Sequence, residues 1–199
     1  MKITINTTAV LDLLGQDGEH WTQGSWEEGN SMCLHGAIRK CQPQLGDAHL
    51  VQQVADRQGW GISFNDNAEG WGDVKKRILH GLEVTDEDLA DIYGPNWRYV
   101  VTLVRQAASL TAEQVESLKA VRTAVRGAAW VVGRNAARNA AGDAAWGAVR
   151  GVVRGAAEGW TRDAASALVV RDLITPEQYQ TLAGPWESVM GEIKEIPND

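Results

Sequence analysis

The chain has 199 residues, a net charge of −7 at pH 7 and 44% hydrophobic residues, which is typical of a globular protein with one or two domains. No apolar run reaches the length of a membrane span, and the first residues lack the apolar core of a signal peptide, so we expect a cytoplasmic protein. Two cysteines, Cys33 and Cys41, are too few for a disulfide framework.

The first third of the chain predicts short helices joined by glycine-rich turns. A loop over 15–31 carries Trp21 and Trp26, and residues 1–6 and 62–64 are two candidate strands that would pair as a short ribbon. The predicted helices cover residues 7–14, 31–41, 47–58 and 71–82. In the last of these, the apolar residues on the expected buried face are Val74, Ile78, Leu79 and Leu82.

Three threonines mark the starts of later helices. Thr85 is followed by three acidic residues, which favour the positive end of a helix dipole. Thr111 and Thr175 each stand three residues before a glutamine, the pattern of a capping box, and Thr175 also precedes a proline at the first helical position. Three such caps predict a mainly α fold.

Residues 120–165 repeat every four positions, with alanine or valine at two positions and arginine or tryptophan at a third. On a helix, the small residues of this repeat share one broad face. Gly142 followed by Asp143 predicts a helix end and a new helix start. We therefore predict an antiparallel hairpin of two long helices over 112–141 and 143–173.

These patterns predict a mainly α protein with a small N-terminal helical domain, a short two-stranded ribbon within it, and a long alanine-rich antiparallel helical hairpin. The predicted segments are an N-terminal helical domain over 1–82, an acidic linker helix region over 83–110, the alanine/arginine/glycine-repeat hairpin over 111–173, and a C-terminal helix and tail over 174–199.

The region 120–173 carries eight arginines and four acidic residues, a local balance of +4 within an acidic chain. Arginine pairs four residues apart repel one another on an isolated helix. They indicate a solvated face, or ion pairs with the acidic segment 83–91, or a site for nucleic acid, a nucleotide or an acidic protein. Arginine suits such a site because it binds phosphate and carboxylate through two hydrogen bonds. The candidate binding residues of this arginine stripe are Arg122, Arg126, Arg134, Arg138, Arg150 and Arg154.

Four glycines spaced by four residues form a second stripe in the predicted hairpin. Each destabilises a helix by about 1 kcal/mol relative to alanine, so a close helix–helix contact is the expected reason for them. The contact lies either inside the hairpin or in a homo-oligomer or partner groove. The glycines are Gly147, Gly151, Gly155 and Gly159.

Cys33 is a candidate nucleophile with Asp66 as a candidate acid, because a cysteine near a helix start can have a lowered thiol pKa. His35 diverges from Cys33 on a helix, so another histidine would act as the base. In the structural alternative, Cys33 is a small buried residue, and Asn65 and Asp66 cap the next helix or turn. The spacing of cysteines and histidines matches no common zinc site, and no metal or cofactor is predicted.

The same region resembles an uncharacterised family of small actinobacterial and actinophage proteins. Its pattern is W-x-Q-G, then C-x-x-G-A, then an aromatic residue before N-D and a valine-containing helix. The aromatic residue is usually tryptophan and here is Phe64. The alanine/arginine-rich segment is similar to tails of proteins encoded by mycobacterial phages, which implies a phage accessory protein in a bacterial cytoplasm. The matching residues are Trp21, Gln23, Gly24, Cys33, Gly36, Ala37, Asn65, Asp66 and Val74.

We therefore expect a non-enzymatic phage accessory protein, of the host-takeover or anti-defence type, that binds a host protein. The predicted contact surfaces are the hairpin and the loop region of Trp21, Gln23 and Asn65. Two alternatives are a cysteine-dependent enzyme centred on Cys33, and a binder of nucleic acid or nucleotides that uses the arginine stripe. No membrane partner is expected.

Overall fold

The structure is a computed structural model, and within it the protein is mainly helical, as the sequence predicts. Ten α-helices and two antiparallel two-stranded ribbons lie within the described part of the chain. The described residues are 3–25, 27–41, 45–58, 62–80, 83–125, 131, 135 and 160–197.

The chain divides into two compact units, Met1–Asp88 and Leu89–Asp199, so the boundary falls within the segment predicted as a linker. The first unit contains strands β1 Ile3–Thr4, β2 Glu27–Glu28, β3 Ser31–Met32 and β4 Glu83–Val84, and helices α1 Thr7–Leu14, α2 Leu34–Cys41, α3 Leu45–Arg57, α4 Ile62–Asn67 and α5 Trp71–His80. The boundary lies within α6 Asp86–Tyr93. The second unit continues with α7 Trp97–Ala108, α8 Ala112–Val125, α9 Trp160–Val169, a 3-10 turn Arg171–Leu173 and α10 Pro176–Met190.

The two ribbons of the first unit differ from the predicted pairing. The strand β1 pairs with β4, placing Ile3 opposite Val84, whereas residues 62–64 belong to helix α4 and are not a strand. The second ribbon, β2–β3, begins in the segment predicted as a loop, and its tight turn contains Gly29 at φ +61°. Its strand β3 occupies the predicted start of the helix over 31–41, which begins only at Leu34. Two-residue strands carry too little alternation to be recognised from the sequence.

Helix α1 begins after Asn6, whose side chain accepts a hydrogen bond from the Ala9 N–H at 3.0 Å, and ends at Gly15 as predicted. It packs against α2 and α5. On α5, Val74 and Ile78 are buried. Because successive helical residues are rotated by about 100°, Leu79 leaves this stripe.

The prediction that Leu79 is buried is therefore wrong: it is 64% exposed. Leu82 lies outside the described residues.

A buried arginine links three elements of the first unit. Arg77 on α5 donates a hydrogen bond to Gln58 Oε1 at 3.3 Å, and Gln58 Nε2 donates to Asp88 Oδ1 at 3.1 Å. Burial lowers the pKa of Arg77 to about 10. A polar chain of side chains thus joins α5, the end of α3 and the first turn of α6.

The second unit is joined by apolar packing. Helix α9 packs against α7 and α10, and α8 packs against α10. Ala164, Ala165 and Ala167 of α9 are completely buried. Alanine allows neighbouring helices to approach closely, so the small-residue face predicted for the repeat is an internal contact at this described end.

The three predicted caps are confirmed. Thr111 and Thr175 each accept a hydrogen bond from the glutamine three residues later, and that glutamine's side chain accepts from the threonine N–H. At Thr85 the hydroxyl accepts from the Asp88 N–H at 3.2 Å, and Asp88 takes the place of glutamine.

Most of the predicted hairpin lies outside the described residues. Helices α8 and α9 are its described ends. The predicted break at Gly142 and Asp143 and the glycines at positions 147, 151, 155 and 159 are not among the described residues.

Candidate functional site

The side chain of Asn65 is the centre of a hydrogen-bonded cluster and is only 1% exposed. Its Oδ1 accepts from Trp21 Nε1 at 2.9 Å and from the Leu34 N–H at 3.0 Å. Its Nδ2 donates to the Thr22 carbonyl and to Asp66 Oδ1, both at 3.2 Å. Both acceptor sites and both donors of the amide are used. We call Asn65 and these four partners the Asn65 hub.

Two further residues tie the 21–24 loop to α4. Gln23 Nε2 donates to the carbonyls of Asn65 at 3.2 Å and Ala68 at 2.9 Å. The Gly24 N–H donates to Asp66 Oδ1 at 2.8 Å. The Gly24 N–H, then the Asn65 side chain, hold the pKa of Asp66 below its ordinary value, because both stabilise the carboxylate.

The structure brings together four of the predicted site residues. Trp21 and Gln23 contact residues more than 40 positions later in the chain, at Asn65 and Asp66. The role of Asn65 and Asp66 differs from the prediction that they cap the next helix or turn. Asn65 and Asp66 bond back to the loop and to the start of α2, because the loop returns to the end of α4. Sequence reasoning had no means to find this long-range pairing.

Cys33 immediately precedes α2 and is 5% exposed, so it is buried, as the alternative to a catalytic role predicts. Its Sγ accepts a hydrogen bond from the Gly36 N–H at 3.4 Å. His35 is buried as well. For Cys41, burial and then the nearby Asp12 charge raise the thiol pKa.

No three histidine, cysteine, aspartate or glutamate side chains come together as metal ligands within the part of the chain that the structure describes. Over the same residues, no helix combines the length and the apolar character needed to cross a bilayer.

Next to the hub lies an aromatic pair that the sequence analysis did not single out. The rings of Trp21 and Trp71 have centroids 6.1 Å apart and are tilted by 42°. Both side chains are half-buried. Trp71 Nε1 donates to the Gln16 carbonyl at 3.1 Å, and Lys75 Nζ donates to the same oxygen at 2.6 Å. We call Trp21 and Trp71 the tryptophan pair.

The glycines near Trp21 and Trp71 in the sequence differ in the space around them. Gly18 has φ +79°, and a Cβ there would lie 2.6 Å from the Trp71 ring, so a side chain is excluded. A Cβ at Gly24, Gly70 or Gly72 would meet no atom within 4 Å. These three positions therefore have room for a side chain. Gly70 and Gly72 flank Trp71 in the sequence, but they do not indicate which ring Trp71 lies beside.

Most of the arginine stripe lies outside the described residues. Arg122 falls within α8, but its side chain is not among the described ones. The other candidates lie outside the described residues: Arg126, Arg134, Arg138, Arg150 and Arg154.

Comparison of the chain with protein-family models, with curated proteins and with solved structures found no match. The resemblance of the motif between Trp21 and Asp66 to an actinobacterial and actinophage family therefore stays a prediction.

Proposed function

We propose that the chain is a non-enzymatic accessory protein of phage origin that acts in the bacterial cytoplasm and binds a host protein through the tryptophan pair. The single observation that carries this proposal is that two half-buried indole rings are held next to each other, with both N–H groups hydrogen-bonded to other residues of the first unit. Tryptophan dominates many protein interfaces because it contributes a large contact area with few rotatable bonds.

The Asn65 hub supports this assignment as a positioning device. Its polar groups bond to one another and to the main chain, so they hold the 21–24 loop rather than face a substrate. A loop fixed in this way loses little conformational entropy when it binds, which favours affinity. The buried, hydrogen-bonded thiol of Cys33 favours a structural role over the nucleophile of the alternative enzyme.

The test compares three forms of the full-length chain as bait in an actinobacterial lysate: wild type, Trp71→Ala and Leu79→Ala. Leu79 is a matched control because it is an exposed apolar residue on the same helix. We expect one host protein to be retained equally by wild type and Leu79→Ala. Trp71→Ala should weaken its binding at least about tenfold, the scale of an interface hot spot, when Kd is measured with the purified partner.

Circular dichroism must first establish that Trp71→Ala keeps its helical content. Equal retention by all three forms contradicts the proposal. Retention that disappears after nuclease treatment of the lysate favours the nucleic-acid alternative instead, because the bait would then be held through DNA or RNA.

A further inference from the structure

The segment that follows α10 lies against α7 in the second unit. Helix α10 ends at Gly191, with φ +82°, and residues 192–197 continue without regular secondary structure. Thr102 Oγ1 donates to the Lys194 carbonyl at 2.7 Å, and Arg98 Nη1 donates to the Pro197 carbonyl at 3.3 Å. Both donors bond to main-chain oxygens, so they fix the position of the segment's backbone whatever its side chains are.

Two side chains of the segment add specificity. Ile193 is only 2% exposed, although its neighbours in the segment are exposed. The Glu195 carboxylate lies 4.0 Å from Arg98 Nε, and the Arg98 guanidinium lies 4.5 Å from the centre of the Trp97 ring. The indole face orients the guanidinium that meets the carboxylate. The contact therefore fits an aliphatic residue followed two positions later by an acidic one.

The segment is mostly exposed: among residues 192–197, all of which the structure describes, Ile193 is the one buried side chain. Two hydrogen bonds and a partly exposed ion pair add to this contact, and Gly191 allows the chain direction to change just before the segment. Segments with so few buried contacts open at a small fraction of the global unfolding free energy.

We propose that the face of α7 formed by Trp97, Arg98 and Thr102 is a docking site for an extended peptide of a partner protein with an aliphatic-x-acidic pattern. The chain's own residues 191–197 occupy it in the structure. A second copy of this chain would bring only the same contacts and would have to exceed the millimolar effective concentration of the tethered segment. A foreign segment that makes additional contacts can displace it at lower concentration.

The probe is a labelled peptide with the sequence of residues 191–197, Gly-Glu-Ile-Lys-Glu-Ile-Pro, titrated with full-length protein by fluorescence anisotropy. Ile193→Ala weakens the tethered segment and should increase the apparent affinity for the peptide at least about tenfold over wild type. In the Ile193→Ala variant, the further substitution Thr102→Val removes a donor to the peptide and should lower the peptide affinity again. A peptide with serine in place of its first isoleucine should bind at least about tenfold more weakly.

Glu195→Gln is a milder variant that keeps the buried isoleucine, so it tests the proposal if Ile193→Ala proves unstable by circular dichroism. It should increase peptide binding about threefold, the effect of a partly exposed ion pair. Equal, weak binding by wild type and both folded variants overturns the proposal. A dimer of wild-type protein at micromolar concentration, measured by light scattering, assigns the face to a second copy and also overturns it.

This site lies in the second unit and does not depend on the tryptophan pair. The Trp71→Ala variant should therefore bind the peptide as wild type does. A loss of host-protein retention without any change in peptide binding would separate the two surfaces.

Discussion

Both compact units of this chain have a buried apolar core, but they differ in the polar contacts that accompany it. In Met1–Asp88, short elements are also connected by polar side chains, with Asn65 and Arg77 at the centres of two hydrogen-bonded groups. In Leu89–Asp199, longer helices meet through apolar residues, among them Trp186 and the alanines of α9. Hydrogen bonds depend on direction, whereas apolar packing depends on volume, so the units should respond to different substitutions.

The largest expected effect tests the packed unit. Trp186 is 1% exposed, and replacing it with alanine removes a large buried side chain and leaves a cavity. We expect Trp186→Ala to lower the free energy of unfolding by about 3–5 kcal/mol in urea titrations followed by circular dichroism. Trp186→Phe is the control. It loses the hydrogen bond to Gln106 but keeps most of the side-chain volume, so it should lower the free energy of unfolding by less than Trp186→Ala does. If Trp186→Ala lowers the free energy of unfolding only slightly, apolar packing at Trp186 is not what stabilises the second unit.

The second prediction concerns the Asn65 hub. Asn65→Ala deprives the Leu34 and Trp21 N–H groups of their acceptor. An unsatisfied buried donor costs about 1–3 kcal/mol, so we expect a loss of roughly 2–4 kcal/mol in the same titrations. Glu69→Ala, at an exposed position two residues beyond this helix, should cost under about 1 kcal/mol. Equal losses at both positions would show that the hub does not stabilise the first unit.

The third prediction concerns a cap, which should behave alike in either unit. Thr175→Ala removes the hydroxyl that accepts from the Gln178 N–H at 3.3 Å. We expect a loss of about 1 kcal/mol, measured as a lowered urea midpoint at unchanged m-value. Thr175→Ser keeps the hydroxyl and should recover most of that stability. A serine variant as unstable as the alanine variant would argue against the cap.

The smallest effect is a pH dependence at the exposed Asp66. The Gly24 N–H and the Asn65 side chain lower its pKa in the folded state, so the carboxylate stabilises the fold above the unfolded-state pKa of about 4. That contribution disappears as the pH falls through the folded-state pKa. The stability difference between wild type and Asp66→Asn should therefore shrink from pH 6 to pH 2. A difference that does not change over this range would contradict the assignment.

Local signals in the sequence predicted the helical fold well. The caps at Thr111 and Thr175 and the end of α1 at Gly15 depend on residues within one helical turn, so they can be recognised in a single stretch of chain. Leu79 was wrongly predicted as buried, because the apolar stripe predicted on α5 is wider than the face that the first unit covers.

The candidate site was predicted only as a set of residue types. Trp21, Gln23, Asn65 and Asp66 were selected from their motif, but their bonds join positions 42 to 44 residues apart. No periodicity connects such positions, and the same polar side chains could have capped a nearby turn. Trp71 was missed because an isolated tryptophan between two glycines gives no sign of which ring it will lie beside.

The sequence by itself determined that the fold is mainly helical and where several helices begin, since caps, glycines and helical periodicity act between neighbouring residues. Only the tertiary structure decided that β1 pairs with β4, that Asn65 joins the 21–24 loop to α2, and that residues 191–197 lie against α7. These contacts form between distant positions, and which of them exists depends on how the helices pack once their apolar faces are buried.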